Sequence, residues 1–384
     1  MRAANTTDIP LSLYVHIPWC VKKCPYCDFN SHVSQSPIPE QQYTEHLTAD
    51  LTEEAKYGSG RRLSSIFFGG GTPSLFSPQA IGRIIHAAQE SLGFTADIEI
   101  TLEANPGTTE YTDFGALRDA GVNRLSIGIQ TFNTQHLKAL GRIHSEEEAI
   151  NAFRKARDAG FNNINIDLMH GLPNQSQAQA MLDLTTAIEL QPEHISWYQL
   201  TIEPNTIFYN APPALPNEDT LSDIQDQGEV LLAEHGYQQY EVSAYAKNNQ
   251  HAKHNMNYWQ FGDYLGIGAG AHGKVTTSDG HIERYRKTRL PADYLNAEKA
   301  KTVGRSVVPA QRLPLEFMMN ALRLPQGIQS QLFEQRTGLP LATVMPQLQQ
   351  LQTEGLIEAG EHIRPTTLGF RFLNTVLSRF NEEA

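Results

Sequence analysis

Short apolar runs alternate with longer amphipathic stretches over the first two thirds of this 384-residue chain. Runs of high β-propensity sit at Leu11–Ile17, Ser65–Phe68, Ile98–Leu102, Arg124–Ile129, Asn163–Leu168 and Ile195–Leu200. Between them the spacing predicts helices near 40–57, 78–92, 110–120, 145–159, 176–190 and 218–235. Strand and helix in turn at this interval mean βαβ units and a parallel sheet, because parallel neighbours need a crossover of helical length. One junction recurs. Arg118-Asp-Ala-Gly-Val-Asn-Arg-Leu-Ser-Ile and Arg157-Asp-Ala-Gly-Phe-Asn-Asn-Ile-Asn-Ile each end a helix, turn at a glycine and enter a strand. A weaker third copy begins at Glu234. Gly121, Gly160 and Gly236 suit the left-handed position after a helix. Equivalent units repeated in this way predict a barrel-like array.

The pattern changes after Tyr285. Pro291, Pro309 and Pro314 punctuate a linker, helical periodicity follows from Leu315 to Leu351, and residues 355–365 read as a hairpin before a last helix near 366–380. This order predicts a small, mainly helical, winged-helix-like domain. We therefore divide the chain into an α/β unit over 1–240, an extension over 241–305 and a C-terminal domain over 306–384. The C-terminal segment from 310 carries six arginines and no lysine against seven glutamates, and the whole chain has a formal charge of −12. A duplex binder needs a basic stripe to neutralise phosphates, so no nucleic acid is expected as partner, and a winged-helix regulator is the weakest reading. No apolar run is long enough for a membrane span, and the first ten residues lack a signal peptide's apolar stretch. A cytoplasmic protein is expected, with a peripheral place at the inner face of the membrane left open.

In that reducing compartment the three cysteines point to metal or redox chemistry rather than to disulfides. They fall in His16-Ile-Pro-Trp-Cys20-Val-Lys-Lys-Cys24-Pro-Tyr-Cys27-Asp-Phe-Asn, directly after the first strand. Thiolates are soft ligands, and this spacing lets one loop wrap a small site. A [4Fe–4S] cubane held by three cysteines leaves one iron open to a bidentate molecule such as S-adenosylmethionine. Two other readings stand beside it. Cys24-Pro-Tyr-Cys27 alone has the form of a redox pair, and His16 or His32 could complete a Cys3His zinc site.

The sequence resembles a known family at this point. Cys-x3-Cys-x2-Cys with Tyr26 before the last cysteine is the radical S-adenosylmethionine signature. Tyr14-Val-His-Ile-Pro, Phe68-Gly-Gly-Gly-Thr-Pro, Glu103-Ala-Asn-Pro, Ser126-Ile-Gly-Ile-Gln130-Thr-Phe and Asn165-Ile-Asp167-Leu-Met-His-Gly-Leu-Pro are similar, in order, to oxygen-independent coproporphyrinogen III oxidase and its relatives. The resemblance implies a partial (β/α) barrel of radical SAM type, with the [4Fe–4S] cluster on Cys20, Cys24 and Cys27. It also implies that Tyr14, Tyr26, Gly70, Gly71, Thr72, Glu103, Gln130, Arg142 and Asp167 bind S-adenosylmethionine. Radical members of the family reduce the cluster, cleave that cofactor and produce a 5′-deoxyadenosyl radical.

Two departures turn the expectation away from decarboxylation. The oxidases carry a fourth cysteine two residues after the third, where this chain has Phe29. Further on, His254-Asn-Met-Asn-Tyr258-Trp259 resembles the mark of the HemW-type haem chaperones, the branch without oxidase activity. Imidazole is a good axial ligand for haem iron and aromatic faces stack on a porphyrin, so His254, Tyr258 and Trp259 are the expected haem contacts. Sealing of a core by these aromatics is the plainer alternative. Attachment of the c type is not expected, since no C-x-x-C-H occurs. The resemblance implies haem as cofactor and cargo, and haem-accepting proteins such as membrane respiratory enzymes as partners. Oxidative decarboxylation of coproporphyrinogen III is the competing function.

Overall fold

The computed structural model describes residues 6–34, 37–108 and 112–381. The chain opens with β1 (Leu11–Ile17), β2 (Trp19–Cys20) and β3 (His32–Val33). It continues through α1 (Glu40–Glu54), β4 (Leu63–Gly70), α2 (Pro78–Leu92), β5 (Phe94–Ala104), α3 (Phe114–Asp119) and β6 (Arg124–Gln130). Next come α4 (Thr134–Ala139), α5 (Glu146–Asp158), β7 (Ile164–His170), α6 (Gln177–Glu189), β8 (His194–Gln199), α7 (Ile207–Asn210) and α8 (Glu218–Glu234). The six expected strands and six expected helices are all here. The helix expected over 110–120 begins at positions outside the described residues.

Local chemistry explains the boundaries. Ser77 caps α2 by accepting from the Ala80 N–H, Pro78 occupies the first turn, and Gly93 ends the helix. Ala80, Ile81, Ile84, Ile85 and Ala88 form its buried stripe. Capping boxes start α5 (Ser145 with Glu148) and α6 (Ser176 with Gln179). Gly121, Gly160 and Gly236 all have positive φ, as their place after a helix requires.

β11 (Asp263–Ile267), β1, β4, β5, β6, β7 and β8 lie side by side and parallel. Antiparallel strands extend both ends. β10 (Ala244–Ala246) and β9 (Gln238–Glu241) follow β8, while β12 (His272–Thr276), β13 (Ile282–Lys287) and β14 (Thr302–Val307) follow β11. The outer strands β9 and β14 do not pair with each other, so the barrel is partial. The third copy of the junction thus leads into an antiparallel edge strand, unlike the first two. The region after Tyr285 is likewise no bare linker: α10 (Pro291–Tyr294) and β14 belong to the sheet unit, as does α9 (Lys253–Trp259) earlier in the extension.

Side-chain alternation divides each central strand. Leu11, Leu13, Val15, Ile100, Leu102, Leu125, Ile127, Ile164 and Ile166 share a core with the helices. Their alternate neighbours fill the barrel with polar and aromatic groups. Asn165 donates to Ser126 Oγ (2.8 Å) and to Asp167 (2.8 Å), His194 meets Asn165 at 2.6 Å, and His194 Nε2 lies 2.7 Å from the Tyr240 hydroxyl. Such an interior demands polar partners, and this network supplies them for Ser126, Asn165, Asp167 and His194.

Two buried ion groups fasten the extension. Asp263 on β11 binds Arg61 (2.7 Å) and Lys274 (2.9 Å). Lys287 on β13 binds Asp50 (2.6 Å) and Glu54 (2.7 Å) on α1. The C-terminal domain has its own core around Phe317, Phe333 and Leu351, which also takes in Phe261 and Ile282 from the sheet unit. Its helices α11 (Leu313–Ala321), α12 (Gln331–Thr337), α13 (Met345–Thr353), α14 (Thr367–Arg371) and α15 (Leu373–Ser378) surround a short antiparallel pair, Ile328–Gln329 with His362–Ile363. The expected last helix is broken at Phe372.

Candidate cofactor cleft

A cleft of about 490 Å³ opens at the carboxyl ends of the parallel strands. This is where loops of such a sheet build sites. Cys20, Cys24 and Cys27 line one wall; Gly70, Gly71, Thr72, Glu103, Gln130, Asp167 and Arg142 line the rest together with Tyr26. Every cofactor position expected from the sequence is here except Tyr14. That ring lies in the barrel interior, its hydroxyl 2.9 Å from His16 Nδ1 and its face stacked towards Phe67 and His254.

The cysteine loop is tied down at several points. Cys20 is in β2, which pairs with β3 after the loop has closed. The Lys23 ammonium donates to the carbonyls of Phe29 (3.3 Å) and Ser31 (3.4 Å). The Asn30 amide spans to the far region, donating to Ala269 O (3.0 Å) and Arg289 O (2.8 Å). His16 Nε2 lies 2.9 Å from Asn30 O, an acceptor only, so Nε2 carries the proton and Nδ1 accepts from Tyr14. With both nitrogens engaged, His16 is no ligand for a Cys3His site. Burial pushes the Cys20 and Cys27 thiols up, and Ser31 Oγ stands 3.7 Å from the Cys27 sulfur. Arg142 Nη1 lies 3.8 Å from the Cys24 sulfur, while Nη2 donates to Gly128 O.

The glycine turn after β4 has no room for side chains. Gly70 has φ +121°, and a Cβ on Gly71 would stand 2.4 Å from Trp19 O. The Gly70 N–H points to Glu103, 3.2 Å away. Burial, with Asp167 nearby, raises the Glu103 carboxyl to about 8. Asp167 is also raised by burial, although it accepts from Ser126 (2.9 Å). Two carboxyls short of cations fit a ligand that brings an ammonium and hydroxyls. Gln130 ends β6 at φ +73°, costly for a non-glycine residue, and its side chain accepts from Tyr198 (3.2 Å). A glycine turn free of side chains, two carboxyls, a guanidinium and three thiols in one cleft therefore fit an amino-acid-bearing nucleoside beside an iron–sulfur cluster.

Sequence reasoning missed Ser126, Gly128, Met169, Tyr198 and Asn30. The first four lie on strands, on the same face as the residues it found, so strand alternation carried the signal. The reach of Asn30 is tertiary and had none.

The haem-contact expectation meets a different geometry. α9 closes the opposite end of the barrel. Glu99 accepts from the N–H groups of Lys253 (2.9 Å) and His254 (3.4 Å), and the His254 ring, 3% exposed, stacks on Phe67 at 4.8 Å. Tyr258 packs edge-on against His254 at 4.6 Å and Tyr264 at 4.5 Å. Trp259 takes Arg323 over its ring at 4.3 Å, joining the C-terminal domain. His254 has no open face in this arrangement, and burial lowers its pKa to about 3.

A family model described as the radical SAM superfamily matches residues 14–185, and one described as the HemN C-terminal domain matches 308–372. The solved structure of coproporphyrinogen III oxidase HemN from Escherichia coli, described as a radical SAM enzyme, is similar over the whole chain and 93% of its own, with TM-score 0.81 and 25% identity. Heme chaperone HemW of Escherichia coli is 49% identical over 97% of this chain and 99% of its own length. The protein of that name from Haemophilus influenzae is 50% identical over 97% and 98%. The likeness spans both domains, and the chain belongs to the HemW family of haem chaperones within the radical SAM superfamily.

Proposed function

We propose that this protein binds haem and passes it to acceptor haem proteins, respiratory enzymes at the membrane among them. In this reading it carries a [4Fe–4S] cluster on Cys20, Cys24 and Cys27 and takes S-adenosylmethionine in the cleft. The observation that carries it is Phe29. At the position where the oxidases have their fourth cysteine, a phenylalanine stands 61% exposed at the cleft mouth. A cluster and its ligand, when bound, would supply reducing and radical-forming chemistry at that mouth. The chain's own residues orient and hold: Glu103 and Asp167 for an ammonium and hydroxyls, the Gly70–Gly71 turn by allowing close approach without side chains, Arg142 against the Cys24 sulfur. Tyr258 and Trp259 remain candidate haem contacts. His254 becomes one only when α9 leaves the end of the barrel, because its ring is enclosed.

Anaerobic reconstitution with iron and sulfide, followed by parallel assays of haem transfer and coproporphyrinogen III turnover, tests the reading. Haem transfer without protoporphyrinogen formation is the expected result; turnover of coproporphyrinogen would overturn it. The oxidase reading keeps one observation in its favour, the likeness to the HemN structure over the full chain.

A further inference from the structure

One face of this acidic protein departs from the rest. Beside Phe29, the Asn30 amide binds the Arg289 carbonyl, so the cysteine loop and the segment after β13 form one continuous surface. Phe29 and Leu290 are exposed there at 61% and 54%, with Val33 at 48% close by in β3. Arg286 sits opposite His272 across β12 and β13, both exposed, and Arg289 follows. Neither Arg286 nor Arg289 has a carboxylate partner among the described residues. Lys22 and Lys23 add cationic charge from the loop itself, against the single carboxylate of Asp28. In a chain of net charge −12, a cluster of unpaired cations around three exposed apolar side chains selects a ligand that is both apolar and anionic.

We propose that this face, centred on Phe29, Leu290, Arg286 and Arg289, is where haem first docks, its macrocycle on the apolar side chains and its propionates on the two arginines. The assignment rests on the haem-chaperone reading and adds a place to it. Haem has the required chemistry: a flat apolar ring with two carboxylates on one edge. Arginine suits those carboxylates because its planar fork pairs with them in a bidentate manner. The enclosed ring of His254 at the other end of the barrel offers no comparable first contact. His272, exposed beside Arg286, lies within the same surface as a nitrogen donor for the iron.

Haemin titration of the anaerobically reconstituted full-length protein, followed by its absorbance, tests the site with the variants Phe29→Ala, Arg286→Glu/Arg289→Glu and His254→Ala. Haemin dimethyl ester, which lacks free propionates, serves as the second probe. We expect Phe29→Ala to weaken haemin binding about tenfold, from the lost aromatic contact. The arginine pair should lose about a hundredfold, from two charge-assisted contacts. The ester should bind the wild type and the arginine variant alike. Tight haemin binding by the wild type with no loss in Phe29→Ala or the arginine variant overturns the site and leaves haem custody standing. Absence of saturable haemin binding by the wild type overturns the functional reading as well. Iron and sulfide content is measured on each variant. The arginine pair lies outside the cysteine loop, so it stays decisive even when Phe29→Ala loads poorly.

Discussion

Glu103 shows how much of the cleft depends on one proton. Its carboxyl titrates near 8 in the folded chain, against an ordinary value of 4.5. Between those values the folded state holds a proton that the unfolded chain has released, so this residue makes stability fall as pH rises. Thermal melts of ligand-free Glu103→Gln and wild type should therefore diverge in the variant's favour from about pH 5 to about pH 8. The same substitution removes the charge offered to an incoming ammonium. We expect it to weaken S-adenosylmethionine binding by about ten- to a hundredfold, read by equilibrium dialysis of the reconstituted protein. Residues of this kind were legible in the sequence because each lies on a strand within a recognisable word. His254 was legible as a word but not as a place. Its enclosure by Phe67, Tyr14 and Tyr258 depends on α9 folding back under the barrel.

Elements with strong local signals were read from the sequence almost to the residue. Leu11–Ile17 and Pro78–Leu92 begin and end where their apolar runs and caps do. β12, β13 and β14 were not seen, since charged residues such as Arg284, Arg286, Lys287 and Arg305 interrupt their alternation. Lys287 explains the failure: burial is hidden in its charge because Asp50 and Glu54, more than two hundred residues away, neutralise it. Lys287→Ala leaves two carboxylates with reduced compensation and should cost about 3–5 kcal/mol in urea unfolding. On β5 in the middle of the sheet, Glu99→Ala removes the acceptor for the first N–H groups of α9. Hydrogen exchange in Lys253–Trp259 should then quicken about five- to a hundredfold, corresponding to loss of about 1–3 kcal/mol of local protection.

At the scale of the molecule, the division into sheet unit and C-terminal domain was expected, but their dependence on each other was not. Phe261 and Ile282 of the sheet unit are buried in the C-terminal core, and Arg323 covers Trp259. A chain ending at Val307 should therefore expose these apolar groups and elute as aggregate in size-exclusion chromatography, while the full chain remains discrete. The placement of β1 has a bearing on biosynthesis. It is the first strand made, yet it lies between β4 and β11, and the loop that follows it is anchored by Asn30 to Ala269 and Arg289. A ribosome adding about 5–20 residues per second needs roughly 12–50 s to travel from that loop to those anchors. For that interval the segment that bears the three thiols lacks those anchors. Under the proposed cluster assignment, metallation that depends on the finished loop is therefore an event of the nearly completed chain, and the nascent cysteines are at their most vulnerable to oxidation before it.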